Sequence, residues 1–111
     1  MAGFIISLVI FLLVTIVMII IGISQIRSKK PVGFYTGEKP PTEDELSDVV
    51  AWNKKHGYMW VVYGFIIIGS FVMASFIKSE TIAMVLLLSG IIGALPIMML
   101  YHGYLKKKYY K

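Results

Sequence analysis

The sequence predicts an all-α membrane protein with three transmembrane helices and a short amphipathic helix in the loop between the first two. Of its 111 residues, 58% are hydrophobic and 15% are charged, against roughly 45–50% and roughly 25% in an average soluble domain. The charged residues cluster and leave three charge-free runs, 1–26, 56–77 and 81–105. Because about 20 apolar residues in a helix cross the hydrocarbon core of a bilayer, each run can supply one span. The whole chain, 1–111, is then a single integral membrane domain.

The first span is predicted at 4–26, where Ser7, Thr15 and Ser24 are the polar interruptions. We interpret it as a retained helix rather than a signal peptide. No Lys or Arg precedes it, its apolar stretch exceeds the usual ~7–15 residues, and no small-residue cleavage motif follows it before Arg27.

The loop 27–57 begins with Gly- and Pro-rich chain that is typical of turns. Thr42 and Glu45 have the spacing of a capping box, which predicts a short amphipathic helix from there to about His56. Gly57 either separates this helix from the second span or lies within one continuous helix. The sequence leaves both alternatives open.

The second and third spans, 58–77 and 81–101, are joined by a hairpin so short that they must be antiparallel neighbours. Small residues at small-xxx-small spacing allow close approach of helix backbones in lipid, although such residues are also common in membrane helices generally. Pro96 predicts a kink in the third span. The predicted packing residues are Gly64, Gly69, Ser70 and Ala74 in the second span, and Ser89, Gly90, Gly93 and Ala94 in the third.

The basic residues predict the orientation. Ten of the eleven Lys and Arg residues lie in the loop 27–57 or in the tail 102–111, and only Lys78 lies in the second hairpin. By the positive-inside rule, the loop and the C-terminus face the cytoplasm and the N-terminus faces outside. We therefore expect a multipass membrane protein with its N-terminus outside the cell and its C-terminus in the cytoplasm.

Several function classes are disfavoured. The predicted spans contain no charged residue of the kind that coupled transporters use. The chain has no nucleophile elbow, no HExxH motif and no identifiable acid–base pair, so we predict no enzymatic activity, no catalytic residue and no cofactor. The absence of cysteine excludes disulfides and thiolate metal sites, and the basic balance reflects topology rather than nucleic-acid binding.

Two histidines are competent metal ligands in principle. His56 and His102 could bind a metal together with a carboxylate from the loop. They lie on different segments without His-x-x-His spacing, and contact with lipid headgroups is the simpler explanation. We therefore predict no metal site.

The loop contains the segment Gly33-Phe34-Tyr35-Thr36, and Trp52 and His56 follow at the start of the next span. This pattern resembles the SdpI/YhfL family of small bacterial membrane proteins. In that family a G-[FI]-R-T segment after one membrane helix precedes W-x-x-x-H at the start of the next. Tyr35 stands where the family has arginine, and a phenol does not replace a planar cation. The matching residues are Gly33, Phe34, Thr36, Trp52 and His56.

The resemblance implies immunity-like or regulatory binding within the bacterial membrane, because the best-known member protects its cell from a membrane-active peptide toxin and recruits a cytoplasmic repressor. The expected partners are the lipid bilayer and a peptide toxin or another membrane protein, with a homo-oligomer left open. The alternative is an accessory or structural subunit of a larger membrane complex. The candidate functional surface consists of Gly33, Phe34, Tyr35, Thr36, Trp52 and His56.

Trp52 and His56, at i and i+4, share one helix face, and Gly33 permits the preceding loop to fold back over them. The alternative interpretation makes Trp52 an interfacial anchor and His56 a cation at a helix end.

Overall fold

The computed structural model describes residues 2–33 and 39–111. Within these ranges the chain forms three long helices, α1 (Ala2–Arg27), α2 (Val49–Ser75) and α3 (Glu80–Tyr109). Each is long and apolar enough to cross a membrane. The all-α class and the three potential spans are thus confirmed.

The capping box between Thr42 and Glu45 is present, but it caps only one turn of 3-10 helix, Glu43–Glu45. The backbone N–H of Thr42 donates to Glu45 Oε1 at 3.2 Å, and the Thr42 hydroxyl donates to the same oxygen at 3.0 Å. The turn ends at Leu46, whose backbone is extended.

The second helix starts afresh at Val49. The carboxylate of Asp48 accepts a hydrogen bond from the backbone N–H of Ala51 at 3.0 Å and so caps the first turn. From there α2 continues through Gly57 to Ser75 without a break. A separate amphipathic loop helix is therefore not confirmed, and residues 49–56 are the first two turns of α2.

Helix α2 lies in the middle of the molecule and packs against both α1 and α3. It meets α1 backbone to backbone where Gly22 faces Gly57. A Cβ added at Gly22 would lie 2.5 Å from the Gly57 carbonyl oxygen, and one added at Gly57 would overlap the Gly22 carbonyl and Ile26. Gly57 lies within the continuous helix, and the close crossing with α1 leaves no room for a side chain at this position.

The same interface continues along α1 to Gly64, which packs against Thr15, Met18 and Ile19. The buried Thr15 hydroxyl donates to the Gly64 carbonyl at 3.3 Å. Gly64 therefore serves the contact with α1 rather than the contact with α3.

Helices α2 and α3 are antiparallel, as the short hairpin predicts. Gly90 on α3 lies directly against Ser70 on α2, where an added Cβ would collide with the serine side chain. The Tyr63 hydroxyl donates to the carbonyl of Ile91 at 3.0 Å. By contrast, a Cβ added at Gly69 or Gly93 meets no atom within 4 Å.

The third helix is longer than its predicted span of 81–101. Its N-cap is Ser79, whose hydroxyl accepts a hydrogen bond from the backbone N–H of Ile82 at 3.3 Å. It then continues past Pro96 to Tyr109, so that most of the basic tail is helical. This extension carries His102 to the same end of the bundle as the start of α2.

Candidate functional site

The start of α2 and the end of α3 enclose four buried polar or aromatic side chains, which we call the histidine cluster: Trp52, Asn53, His56 and His102. The first three have no exposed surface, and His102 is 5% exposed. Positions 52, 53 and 56 lie on one side of α2 because a helix turns once in 3.6 residues. Two of the six residues predicted as a functional surface therefore lie inside the protein.

The two imidazoles are joined by a hydrogen bond. His56 Nε2 lies 2.8 Å from His102 Nδ1, and His56 Nδ1 lies 2.9 Å from the carbonyl oxygen of Trp52. A carbonyl can only accept, so the hydrogen on His56 is assigned to Nδ1. In the neutral pair, His56 Nε2 then accepts from the Nδ1–H of His102.

Trp52 covers the pair. Its ring centroid lies 4.1 Å from that of His56 and 5.8 Å from that of His102, and the Tyr110 ring lies 5.5 Å away on the tail. The indole N–H donates to the carbonyl of Val32 at 2.9 Å. A fully buried indole that is bonded to its own chain does not act as an anchor in the headgroup region.

Asn53 holds the loop that precedes it in sequence. Its amide nitrogen donates to the carbonyls of Ser28 and Lys30 at 3.0 and 2.9 Å, and its amide oxygen accepts from the backbone N–H of Val32 at 3.1 Å. Residues 28–33 thus fold back over the start of α2. The Gly33 carbonyl itself accepts from the side chain of Gln25 at 3.4 Å.

The C-terminus closes the cluster from the other side. The backbone N–H and the hydroxyl of Ser47 both donate to the Tyr109 carbonyl, at 2.7 and 3.1 Å, and the backbone N–H of Lys111 donates to the Glu45 carbonyl at 2.8 Å. These bonds cover an apolar cluster that consists of Leu46, Trp52, Leu105 and Tyr109.

Glu45 carries a charge effect of its own. The backbone N–H of Thr42, and then its hydroxyl, stabilise the carboxylate and hold the pKa of Glu45 below its ordinary value, and Lys39 adds to this. Burial opposes the shift but is the smaller effect. The 3-10 turn, to which the backbone N–H of Lys111 is bonded, is therefore stabilised by the ionised carboxylate of Glu45.

Two members of the cluster, Asn53 and His102, were absent from the predicted functional surface, and His102 was considered there only as a possible metal ligand. His102 had a usable signal: His56 and His102 each lie 23 residues from Ser79 in the hairpin. In an antiparallel helix pair, residues equidistant from the turn lie at the same height. Asn53 had no comparable signal, because its partners are backbone atoms of an irregular loop.

Of the remaining predicted surface residues, Phe34, Tyr35 and Thr36 lie outside the described residues. Among the residues that the structure describes, no group of three or more His, Cys, Asp or Glu side chains could hold a metal ion. The facing nitrogens of the histidine pair bond to each other. The cluster as described is a hydrogen-bonded junction of three segments.

Comparisons with known proteins bear on neither the family nor the site. No protein-family model matches the chain, and no curated protein sequence or solved structure matches it either. The resemblance to the SdpI/YhfL family accordingly depends on the residues quoted for it above.

Proposed function

We propose that this chain is a small multipass protein of the bacterial cytoplasmic membrane that acts by immunity-like or regulatory binding within the membrane and not by catalysis. Its partner is a membrane-active peptide toxin or another membrane protein. One observation carries the proposal: the histidine cluster joins the loop 28–33, the start of α2 and the end of α3 through side chains that are almost fully buried.

The energetics of the cluster support a role beyond stability. A buried polar network is often no more stabilising than well-packed apolar side chains of similar volume, and in some proteins it serves to specify one conformation. Here the specified conformation is the path of residues 28–33, which leads directly into the family-like residues 34–36. The cluster thus fixes the path of the chain up to Gly33.

The proposed orientation places the loop and the tail in the cytoplasm. The hydrogen bonds from Ser47 to Tyr109 and from Lys111 to Glu45 support a shared side for the two segments. Together these segments contain ten of the eleven Lys and Arg residues, and the positive-inside rule assigns such a side to the cytoplasm.

The proposal is tested by protection of cells against membrane-active peptides. A sensitive bacterial strain that expresses the chain is challenged with a panel of such peptides, and membrane abundance is measured in parallel. Asn53→Ala, which releases residues 28–32, should abolish protection at normal abundance. Lys54→Ala, an exposed neighbour on the same helix, is the matched control and should protect like the parent.

Two results would contradict this role. Full protection by the Asn53→Ala/His56→Ala double variant would remove the histidine cluster from the function. No protection by the parent against any peptide would reject immunity. The regulatory alternative would then be tested by photo-crosslinking from an unnatural residue at position 35, with position 50, which is exposed on α2, as control.

A second candidate is an accessory subunit of a larger membrane complex. The observation that favours it is the open space beside Gly69 and Gly93, where the backbone of another helix could approach closely. Isolation in mild detergent distinguishes the two functions, since a subunit should co-purify with a stoichiometric complex. Neighbouring genes for a toxin and its export favour immunity, whereas a transporter or enzyme operon favours a subunit.

A further inference from the structure

A groove of about 340 Å³ lies between α2 and α3 on the side that carries Val62 and Ile97. Both side chains are more than half exposed, so the groove opens on a face that would contact lipid in a bilayer. Its volume falls in the range of small-molecule sites, about 300–1,000 Å³. It is separate from the histidine cluster, with which it shares no lining residue.

The groove has the length of one lipid leaflet. On α2 it extends from Lys55 to Ile66, and eleven residues of helix rise about 16 Å. Half of a hydrocarbon core of about 30 Å is about 15 Å. On the antiparallel α3 it extends from Tyr101, near the Lys55 end, to Ala94, whose small side chain leaves room at the deep end.

The groove is charged at one end only. Lys55 is the one charged residue among the described lining residues, and Tyr58 and Tyr101 line the same half of the groove. The deep half is lined by Val62, Ile66 and Ala94, and by Tyr63, whose hydroxyl is bonded to the Ile91 carbonyl. An exposed ammonium above an apolar channel complements a negatively charged headgroup on an acyl chain.

We infer that this groove binds an anionic phospholipid of the leaflet on the loop side, with one acyl chain along α2 and α3 and the phosphate at Lys55. An empty channel of this size would forfeit dispersion contacts along its walls. Inside a bilayer, acyl chains are the molecules that reach it. The inference does not depend on the proposed function.

Native mass spectrometry of the purified full chain tests the inference. The protein is extracted from nanodiscs of equal parts phosphatidylglycerol and phosphatidylcholine, and the lipid that stays bound is identified. The parent should retain one phosphatidylglycerol in preference. Lys55→Gln should reduce that preference about fivefold, the expected effect of one basic residue at a membrane surface, and the neighbouring Lys54→Gln should leave it unchanged.

The acyl-chain part of the inference has its own variants. Val62→Trp places a large ring in the groove and should reduce retention of both lipids, whereas Phe65→Trp, on an exposed position that does not line the groove, should not. Phosphatidylglycerol with a photoreactive acyl chain should cross-link to Val62, Ile66 or Ile97.

Three results would overturn the inference. One is equal retention of the two lipids by the parent. Another is an equal loss of preference in Lys54→Gln and Lys55→Gln, which would indicate a diffuse basic surface. The third is cross-linking spread evenly over the outward face of α1.

Discussion

His56 and His102 hold the ends of α2 and α3 together through one hydrogen bond between two buried rings. Each ring nitrogen of His56 is occupied, one by the Trp52 carbonyl and one by His102. Loss of either partner leaves a buried polar atom unpaired, which costs about 1–3 kcal/mol. The junction between α2 and α3 is therefore sensitive to substitution of a single histidine.

Replacement of His102 by Phe tests this bond. The variant keeps a ring of similar size but removes the donor to His56 Nε2, so the free energy of unfolding should fall by about 1–3 kcal/mol. Thermal or denaturant unfolding in detergent measures the change. Tyr104→Phe, on an exposed position of the same helix, is the control. Unchanged stability of His102→Phe would show that the hydrogen bond between the histidines adds nothing to the free energy of unfolding.

At the scale of elements, α2 forms two interfaces of different kinds. In the interface with α1, the backbones of Gly22 and Gly57 lie directly against each other. Against α3 it places a serine side chain, that of Ser70, on Gly90. Both contacts need glycine because a Cβ would occupy space that the facing helix already fills.

The α1–α2 crossing predicts strong effects of substitution at Gly57. Gly57→Leu should push α1 away from α2 and reduce the free energy of unfolding by about 1–3 kcal/mol or more, as overpacking does. Gly69→Leu on the same helix should be tolerated, because a Cβ there meets open space. Unfolding of both variants in detergent gives the comparison, and equal stability would argue against the close crossing.

The α2–α3 contact predicts a difference between two glycines one turn apart. Gly90→Leu should separate the helices at Ser70 and lower the melting temperature, whereas Gly93→Leu should leave the isolated chain unchanged. Thermal stability in detergent is again the measurement. A larger loss in Gly93→Leu than in Gly90→Leu would mean that α3 presents a different face to α2.

On the scale of the whole molecule, the two ends of the helix bundle are held together in different ways. The loop and the C-terminus are hydrogen-bonded to each other through Ser47, Tyr109, Glu45 and Lys111. At the opposite end, residues 76–79 join α2 to α3, and the ring of Phe4 on α1 stacks on that of Phe71 on α2 with centroids 5.8 Å apart. The uneven distribution of basic residues between these ends is what sets the expected orientation.

Cysteine labelling tests this orientation on a chain that has no native cysteine. A membrane-impermeant thiol reagent on intact cells should label Ser79→Cys and leave Ser47→Cys unlabelled until the cells are permeabilised. Both positions are exposed in the structure, so access to the reagent depends on the side of the membrane alone. Labelling of Ser47→Cys alone on intact cells would reverse the topology.

The three helices are predictable from the sequence alone, because hydropathy and length are properties of each stretch of chain and need no packing partner. The capping box of Thr42 and Glu45 was predictable for the same reason, although its helix ended after one turn. The small residues of the second and third spans were also visible, but which of them touch a neighbour was not.

Which faces of the helices pack against each other is seen only in the tertiary structure. His56 and His102 lie 46 residues apart, and their bond exists because α3 continues past its apolar stretch to the height of the start of α2. Gly57, which the sequence leaves as either a break or part of a continuous helix, lies within α2 with Gly22 of another helix packed against it. Asn53 is buried because its amide matches three backbone groups of an irregular loop. Such pairings depend on the relative rotation and depth of whole helices, which no local pattern of residues encodes.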